Sequence, residues 1–150
     1  MNIQNYIFGI DVDNTLTDTK PFSIDNMDLE ETREMIRNAP SKKGIEILSI
    51  LDLKIVIITG RGDYFHGDTI YWLNKNDVPF VKLVTIDRNK YKYRFDINEY
   101  LKYKLDAYLS NRINFCLEDD DRVINILNDY GIKTSKVEKD FKKAFFNLFI

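Results

Sequence analysis

A chain of 150 residues with 44% hydrophobic and 31% charged side chains can bury a core, and it reads as a single domain over residues 1–150 rather than as a disordered or fibrous chain. Its formal net charge of -2 excludes a generic nucleic-acid coat protein but leaves room for a local basic groove. The single cysteine, Cys116, has no internal disulfide partner and sits in the apolar run Ile113–Leu117, which predicts a buried thiol in a reducing compartment rather than a nucleophile. No signal peptide and no apolar span of about 18 residues is read in the chain, so a soluble cytoplasmic protein without membrane contact is expected.

The elements alternate from the start. Ile7–Ile10 is an apolar run of the kind buried on both faces of a parallel sheet, and it ends in Asp11 and Asp13, one residue apart. Residues 18–27 are polar, carry Pro21 and read as a loop. Asp28 with Glu31 resembles a capping box opening a helix to about Asn38, which Ala39-Pro40 ends. Ser41 is placed to cap a second helix with Ile45, Leu48 and Leu51 on its apolar face, weakened by Gly44. Lys54–Ile58 is a β-branched strand running into Thr59-Gly60-Arg61-Gly62.

Asp68 is the expected cap of the next helix, which carries Trp72 as a core anchor and exits at Asn76-Asp77; His66, the lone histidine, falls in the loop before it. A third strand is expected over Val78–Ile86, with Pro79 near its start, then an irregular stretch to Asn98. Glu99–Leu109 fits a helix burying Leu101, Leu105, Tyr108 and Leu109. Ile113–Leu117 is a fourth strand, running into Glu118-Asp119-Asp120-Asp121. Val123, Ile124, Leu127 and Tyr130 share a helical face closed by Gly131, residues 132–137 form a fifth strand, and Phe141, Ala144, Phe145, Leu148 and Phe149 line a terminal helix docked on its own domain, with a dimer contact as the lesser alternative. This alternation predicts an α/β, Rossmann-like three-layer sandwich around a mainly parallel five-stranded sheet.

Two carboxylates at the C-terminal end of a buried strand lie at the edge where open α/β sheets bind ligands, and they repel unless a cation or a shared proton separates them. Thr59 and Gly60 end the second strand with a hydroxyl and a bare backbone amide, donors suited to phosphate oxygens, although a plain turn has the same composition. The acidic run after the fourth strand is better explained as a metal site than as a solvated face, because a matching acid pair follows the first strand.

Asp11-Val12-Asp13-Asn14-Thr15 resembles the first motif of the haloacid dehalogenase superfamily of phosphotransferases, and Thr59-Gly60-Arg61, a lysine before the fourth strand and Glu118-Asp119 follow in the order of its other three. Lys104 is the lysine chosen, with Lys102 as runner-up. Asn14 departs from the Gly that many relatives carry there, and Asn tolerates the same unusual backbone angles. The resemblance implies a Mg²⁺-dependent phosphatase. Asp11 would be the nucleophile, forming an aspartyl-phosphate; Asp13 the general acid and then base; Lys104 the balancing cation. Thr59, Gly60 and Arg61 would bind the phosphoryl group. Asp11, Asp13 (through its carbonyl), Glu118 and Asp119 would hold the metal, with the register along 118–120 left open.

The short intervals between motifs imply a minimal or absent cap and an open site. The pattern is most similar to the phosphatase half of phage-type polynucleotide kinase and to small nucleotidases, so the implied substrate is a nucleotide or a polynucleotide 3′-phosphate end, with a sugar phosphate or other metabolite as the alternative. No Gly-rich kinase phosphate loop occurs in these residues. Residues 88–104 interleave Arg88 and several lysines with Tyr91, Tyr93, Phe95, Tyr100 and Tyr103; an ordinary amphipathic helix with a charged loop explains this more simply than a single-strand groove. A phospho-receiver domain and a catalytically silent relative are the competing classes. Oligomeric state stays open between monomer and homodimer.

Overall fold

The computed structural model describes residues 2–19, 29–87, 89–90 and 96–150. Among them the chain forms β1 (Ile7–Ile10), α1 (Leu29–Arg37), β2 (Lys54–Gly62), α2 (His66–Lys75), β3 (Lys82–Ile86), α3 (Ile97–Ser110), β4 (Phe115–Glu118), α4 (Asp121–Asp129), β5 (Lys133–Lys136) and α5 (Phe141–Asn147). The sheet order is β3-β2-β1-β4-β5, and every pairing is parallel. The chain therefore builds outward from β1 on one side, then crosses to build β4 and β5 on the other. That reversal puts the topological switch point at the C-terminal ends of β1 and β4.

Strand alternation divides the core into two layers. Phe8, Ile10, Ile55, Ile57, Phe115 and Leu117 face Trp72, Phe141 and Phe145, whereas Val56, Ile58 and Cys116 face Tyr103, Tyr108, Val123 and Leu127. Gly9 occupies the second face of β1 because the Tyr108 ring lies where a Cβ would stand. The Tyr108 hydroxyl in turn accepts from Cys116 Sγ at 3.2 Å, and burial pushes the Cys116 thiol up, so it is an inert core group. Trp72 is fully buried and donates from Nε1 to the Ala39 carbonyl at 2.7 Å, tying α2 to the end of α1.

The element boundaries differ from the sequence expectation in ways with local causes. No Ser41-capped helix forms: Ser41 pairs with Thr17 in an isolated bridge, and a 3-10 turn, Ile45–Ser49, is entered through Gly44 at φ 92. Gly44 thus makes the entry rather than weakening a helix, and a Cβ there would also meet Asp140 and Lys142. Asp68 does not cap α2, which begins at His66 after a 3-10 turn; Asp68 sits buried in the first turn and accepts from Arg37 Nε at 2.7 Å, with Arg33 Nε at 3.5 Å. His66 is helical rather than in a loop, and its Nδ1 is 3.0 Å from the Thr85 hydroxyl.

β3 starts at Lys82, not Val78, since Pro79 has no N–H for the ladder. β2 runs four residues beyond Ile58, with a register shift against β3 between Ile58 and Gly62. α3 buries Tyr103, Lys104, Ala107 and Tyr108, while Leu109 is exposed. The expected loop over 18–27 and the capping residue Asp28 lie almost wholly outside the described residues, as do Arg88, Tyr91, Tyr93 and Phe95.

α5 is docked on its own sheet: Phe141, Phe145 and Leu148 are buried, and the Phe145 ring lies 5.7 Å from that of Phe8. No described helix is long and apolar enough to cross a membrane. Phe145→Ala removes an aromatic that joins α5 to the central strand. It should cost about 3–5 kcal/mol, read as a lowered urea midpoint at unchanged slope.

Candidate active site

Register sets the site before any side chain is considered. Ile10 is level with Ile57 on one side and Leu117 on the other, so the next residues, Asp11, Ile58 and Glu118, emerge together at the C-terminal edge. The Asp11 amide still donates to the Leu117 carbonyl at 3.1 Å, which holds the loop after β1 against β4. That loop turns sharply, with Asn14 at φ 57 and the amides of Thr15, Leu16 and Thr17 all directed at the Val12 carbonyl.

Lys104 enters from α3 between the strands and is fully buried. Its Nζ donates to Asp11 Oδ1 at 2.9 Å, Glu118 Oε2 at 2.9 Å and the Ile58 carbonyl at 3.1 Å. One ammonium thus joins the ends of β1, β2 and β4. Lys102, the runner-up, lies on the exposed side of the same helix. Burial by itself would lower the Lys104 pKa, but the Asp11 and Glu118 carboxylates outweigh it and hold the amine well above its usual range. Burial raises both carboxyls; Lys104 opposes this at each, while Asp119 adds repulsion at Asp11 and Asp11 adds repulsion at Glu118.

Asp11, Glu118 and Asp119 each offer an oxygen within 4.8 Å of the others. An all-carboxylate donor set of this kind suits a hard divalent cation such as Mg²⁺. The Thr15 hydroxyl lies 3.2 Å from Asp11 Oδ2 and 3.4 Å from Asp119 Oδ1, and Asn14 Nδ2 lies 3.4 Å from Asp119 Oδ2. Glu118 is more fully engaged: Oε2 faces Lys104 and Oε1 accepts the amides of Asp119 and Asp120 at 3.2 and 3.4 Å. Asp120 is outside the trio; it N-caps α4 and pairs with Arg122 at 2.7 Å, and the Arg122 side chain holds its carboxyl below the usual range.

The Asp13 carboxylate is also outside the trio. Both of its oxygens face Arg61, with Nη2 2.7 Å from Oδ1 and Nε 3.3 Å from each oxygen. Arg61 is itself buried, and its Nη1 donates to Thr69 on α2 at 3.0 Å. Arg61, which the resemblance implies binds the phosphoryl group, also clamps Asp13. Thr59 is buried at the same edge, its hydroxyl accepting from the Arg61 amide at 3.2 Å. Gly60 is glycine for a steric reason: the half-buried Tyr100 ring lies 2.7 Å from where its Cβ would be. The same ring is 5.8 Å from Lys104 Nζ, which makes Tyr100 a wall of the site. Tyr103 is core, its hydroxyl donating to the Thr59 carbonyl, so that part of the basic-aromatic stretch serves packing.

No family model and no curated protein sequence matches the chain. Among solved structures, a chain in "Structure of the Pnkp1/Rnl/Hen1 RNA repair complex" superposes with a TM-score of 0.66 at 15% identity, over 90% of this chain and 43% of that one. A chain in "Structure of Pnkp1/Rnl/Hen1 complex" gives 0.63 at 14% identity, over 93% and 48%. The chain thus spans less than half the length of these solved chains, and at such identity the likeness is one of fold.

Without a bound cation, Asp11 and Glu118 take up protons more readily folded than unfolded, so stability falls as pH rises from the ordinary carboxylate range through their raised values. The Lys104 contribution runs in the same direction but in a more alkaline range: it is complete below the amine's ordinary pKa and is lost only as pH climbs through its raised one. A divalent cation binds the deprotonated trio and cancels the carboxylate loss. Thermal unfolding in EDTA and in Mg²⁺ should therefore diverge as pH rises above the ordinary carboxylate range, with the Mg²⁺ gain growing with pH.

Proposed function

We propose that this chain is a single-domain, Mg²⁺-dependent phosphomonoester hydrolase of the haloacid dehalogenase type, acting in the cytoplasm on a nucleotide or a polynucleotide 3′-phosphate end. The observation that carries the reading is the buried Lys104 bonded to Asp11 beside an oxygen-only trio at the sheet's switch point. The four motifs named from the sequence meet there although they are spread over residues 11–119. The fold shared with chains of an RNA repair complex supports a nucleic-acid end as substrate.

Asp11 and Asp119 would hold the cation directly and Glu118, whose oxygens are occupied, through water. When bound, it would offset the charge of a phosphate dianion meeting a carboxylate. Asp11 attacks phosphorus, making a P–O bond as the bond to the ester oxygen breaks. Lys104 keeps Asp11 oriented through Oδ1 and balances the charge gathered there. Asp13 gives the departing oxygen its proton from Oδ2, the oxygen Arg61 holds less closely, at 3.3 Å against 2.7 Å at Oδ1. Water then attacks the aspartyl-phosphate and returns a proton to Asp13, and the bond to Asp11 breaks, releasing orthophosphate. Thr59 and Gly60, with Tyr100 packed behind, border the phosphoryl group.

A receiver domain would take one phosphoryl group and stop, so turnover separates the readings. Mg²⁺-dependent phosphate release should be measured on mononucleotides, sugar phosphates and 3′-phosphorylated oligonucleotides. Multiple turnovers are expected, fastest on the oligonucleotides, and Asp11→Asn should lower the rate at least about 10³-fold. Release equal to that of Asp11→Asn would overturn the hydrolase reading; preference for sugar phosphates would move the substrate to small metabolites.

A further inference from the structure

Lys42 belongs to none of the motifs, yet it is a buried ammonium within reach of the site. Its side chain is 4% exposed, and Nζ donates to Asn14 Oδ1 and to the Glu138 carbonyl, both at 2.8 Å, with Asp18 Oδ1 at 3.5 Å as the third acceptor. The surrounding backbone is fixed as well. The Lys42 amide donates to the Leu16 carbonyl at 2.7 Å, the Asp18 amide to the Pro40 carbonyl at 2.8 Å, and the Phe141 amide to the Lys43 carbonyl at 2.8 Å. Residues 40–43 thus form a strap joining the loop after β1 to the loop after β5.

The polarity of the Asn14 side chain follows from this contact. An ammonium has three donors and no lone pair, so the amide must turn its oxygen to Lys42. Its Nδ2 is then the group that faces Asp119 Oδ2, at 3.4 Å. The reversed amide would set an oxygen against each carboxylate oxygen it met. Asp119 is held from both sides by one turn: Thr15 at Oδ1 and Asn14 at Oδ2. We infer that Lys42 is a positioning residue for the acidic trio, acting through Asn14 to orient the Asp119 carboxylate for a divalent cation. The inference rests on the metal-site reading above. It assigns the Asn at position 14 a task that glycine could not perform.

Outer-shell partners of this kind change metal affinity by about 10–100-fold when removed. Mg²⁺ affinity should be measured by calorimetry for the full chain and for Lys42→Met, Asn14→Gly and the double variant, with urea midpoints taken in EDTA. Asn14→Gly keeps the left-handed backbone and removes only the amide, so it reports even if Lys42→Met unfolds. Each single variant should bind Mg²⁺ about tenfold more weakly, and the double variant no more weakly than either, because both break one relay. The Asn14 side-chain NH₂ resonances should shift in Lys42→Met. Unchanged affinity in Asn14→Gly, or single losses that add in the double variant, would overturn the relay. A wild-type chain that binds no Mg²⁺ would overturn the metal reading, and the relay with it, a result recognisably different from variants that bind like wild type.

Discussion

A single ammonium holds the C-terminal edge of the sheet together. Lys104 reaches from α3 to the ends of three strands, and each of its N–H groups meets an acceptor there. Two buried carboxylates and one buried amine are costly apart, and truncating either side of such a group leaves an uncompensated charge. The arrangement persists because the parallel register delivers Asp11 and Glu118 side by side, and because Gly9 lets Tyr108 press α3 close enough to insert the lysine. Packing of an ordinary α/β core thereby determines the charge state of the site.

The two acids of the first motif end up in different electrostatic settings. Asp11 faces Lys104 and the acidic trio, whereas Asp13 is sealed against Arg61 and, through it, against Thr69 of α2. β1 ends at Ile10 and Asp13 already lies in the turn that follows, so the two side chains meet different neighbours. The neighbours come from opposite sides of β1: Lys104 from the layer of α3, Arg61 from the end of β2. Two chemically identical groups are thereby given different partners, and with them different charge environments.

Much of this was legible in the sequence because apolar strands followed at once by acids are strong signals of a sheet edge. Asp11, Glu118, Asp119 and Lys104, which the family resemblance singled out, lie together at one edge. The fold class was legible from alternation alone, and the all-parallel sheet agrees with it. Other features leave no local trace. Ser41 reads as a helix cap and Lys42 carries no signal of its own; only the three-dimensional closure of the strap shows Lys42 buried. The buried face of α3 was read as Leu101, Leu105, Tyr108 and Leu109; Tyr108 is buried and the first two leucines are half-buried, but Leu109 is exposed and Tyr103 and Lys104 are buried beside Tyr108, since a polar site takes the place of core along that edge. The ion pair of Arg61 is likewise invisible in the sequence, which shows a charge without showing the partner 48 positions away.

The central position of β1 has a further consequence for how the molecule comes to exist. Its neighbours are far away in sequence: Phe8 is level with Ile55 on one side and Phe115 on the other, so the first contact closes a loop of 55 − 8 = 47 residues and the second one of 115 − 8 = 107. Loop-closure entropy must be met before such pairings stabilise anything, which slows folding relative to locally wired helical proteins. The same two closures bring Asp11 to Lys104 and Asp119. Assembly of the fold and assembly of the charge cluster are one event, and a chain caught partway would carry an isolated aspartate on an open strand edge, with no cation beside it.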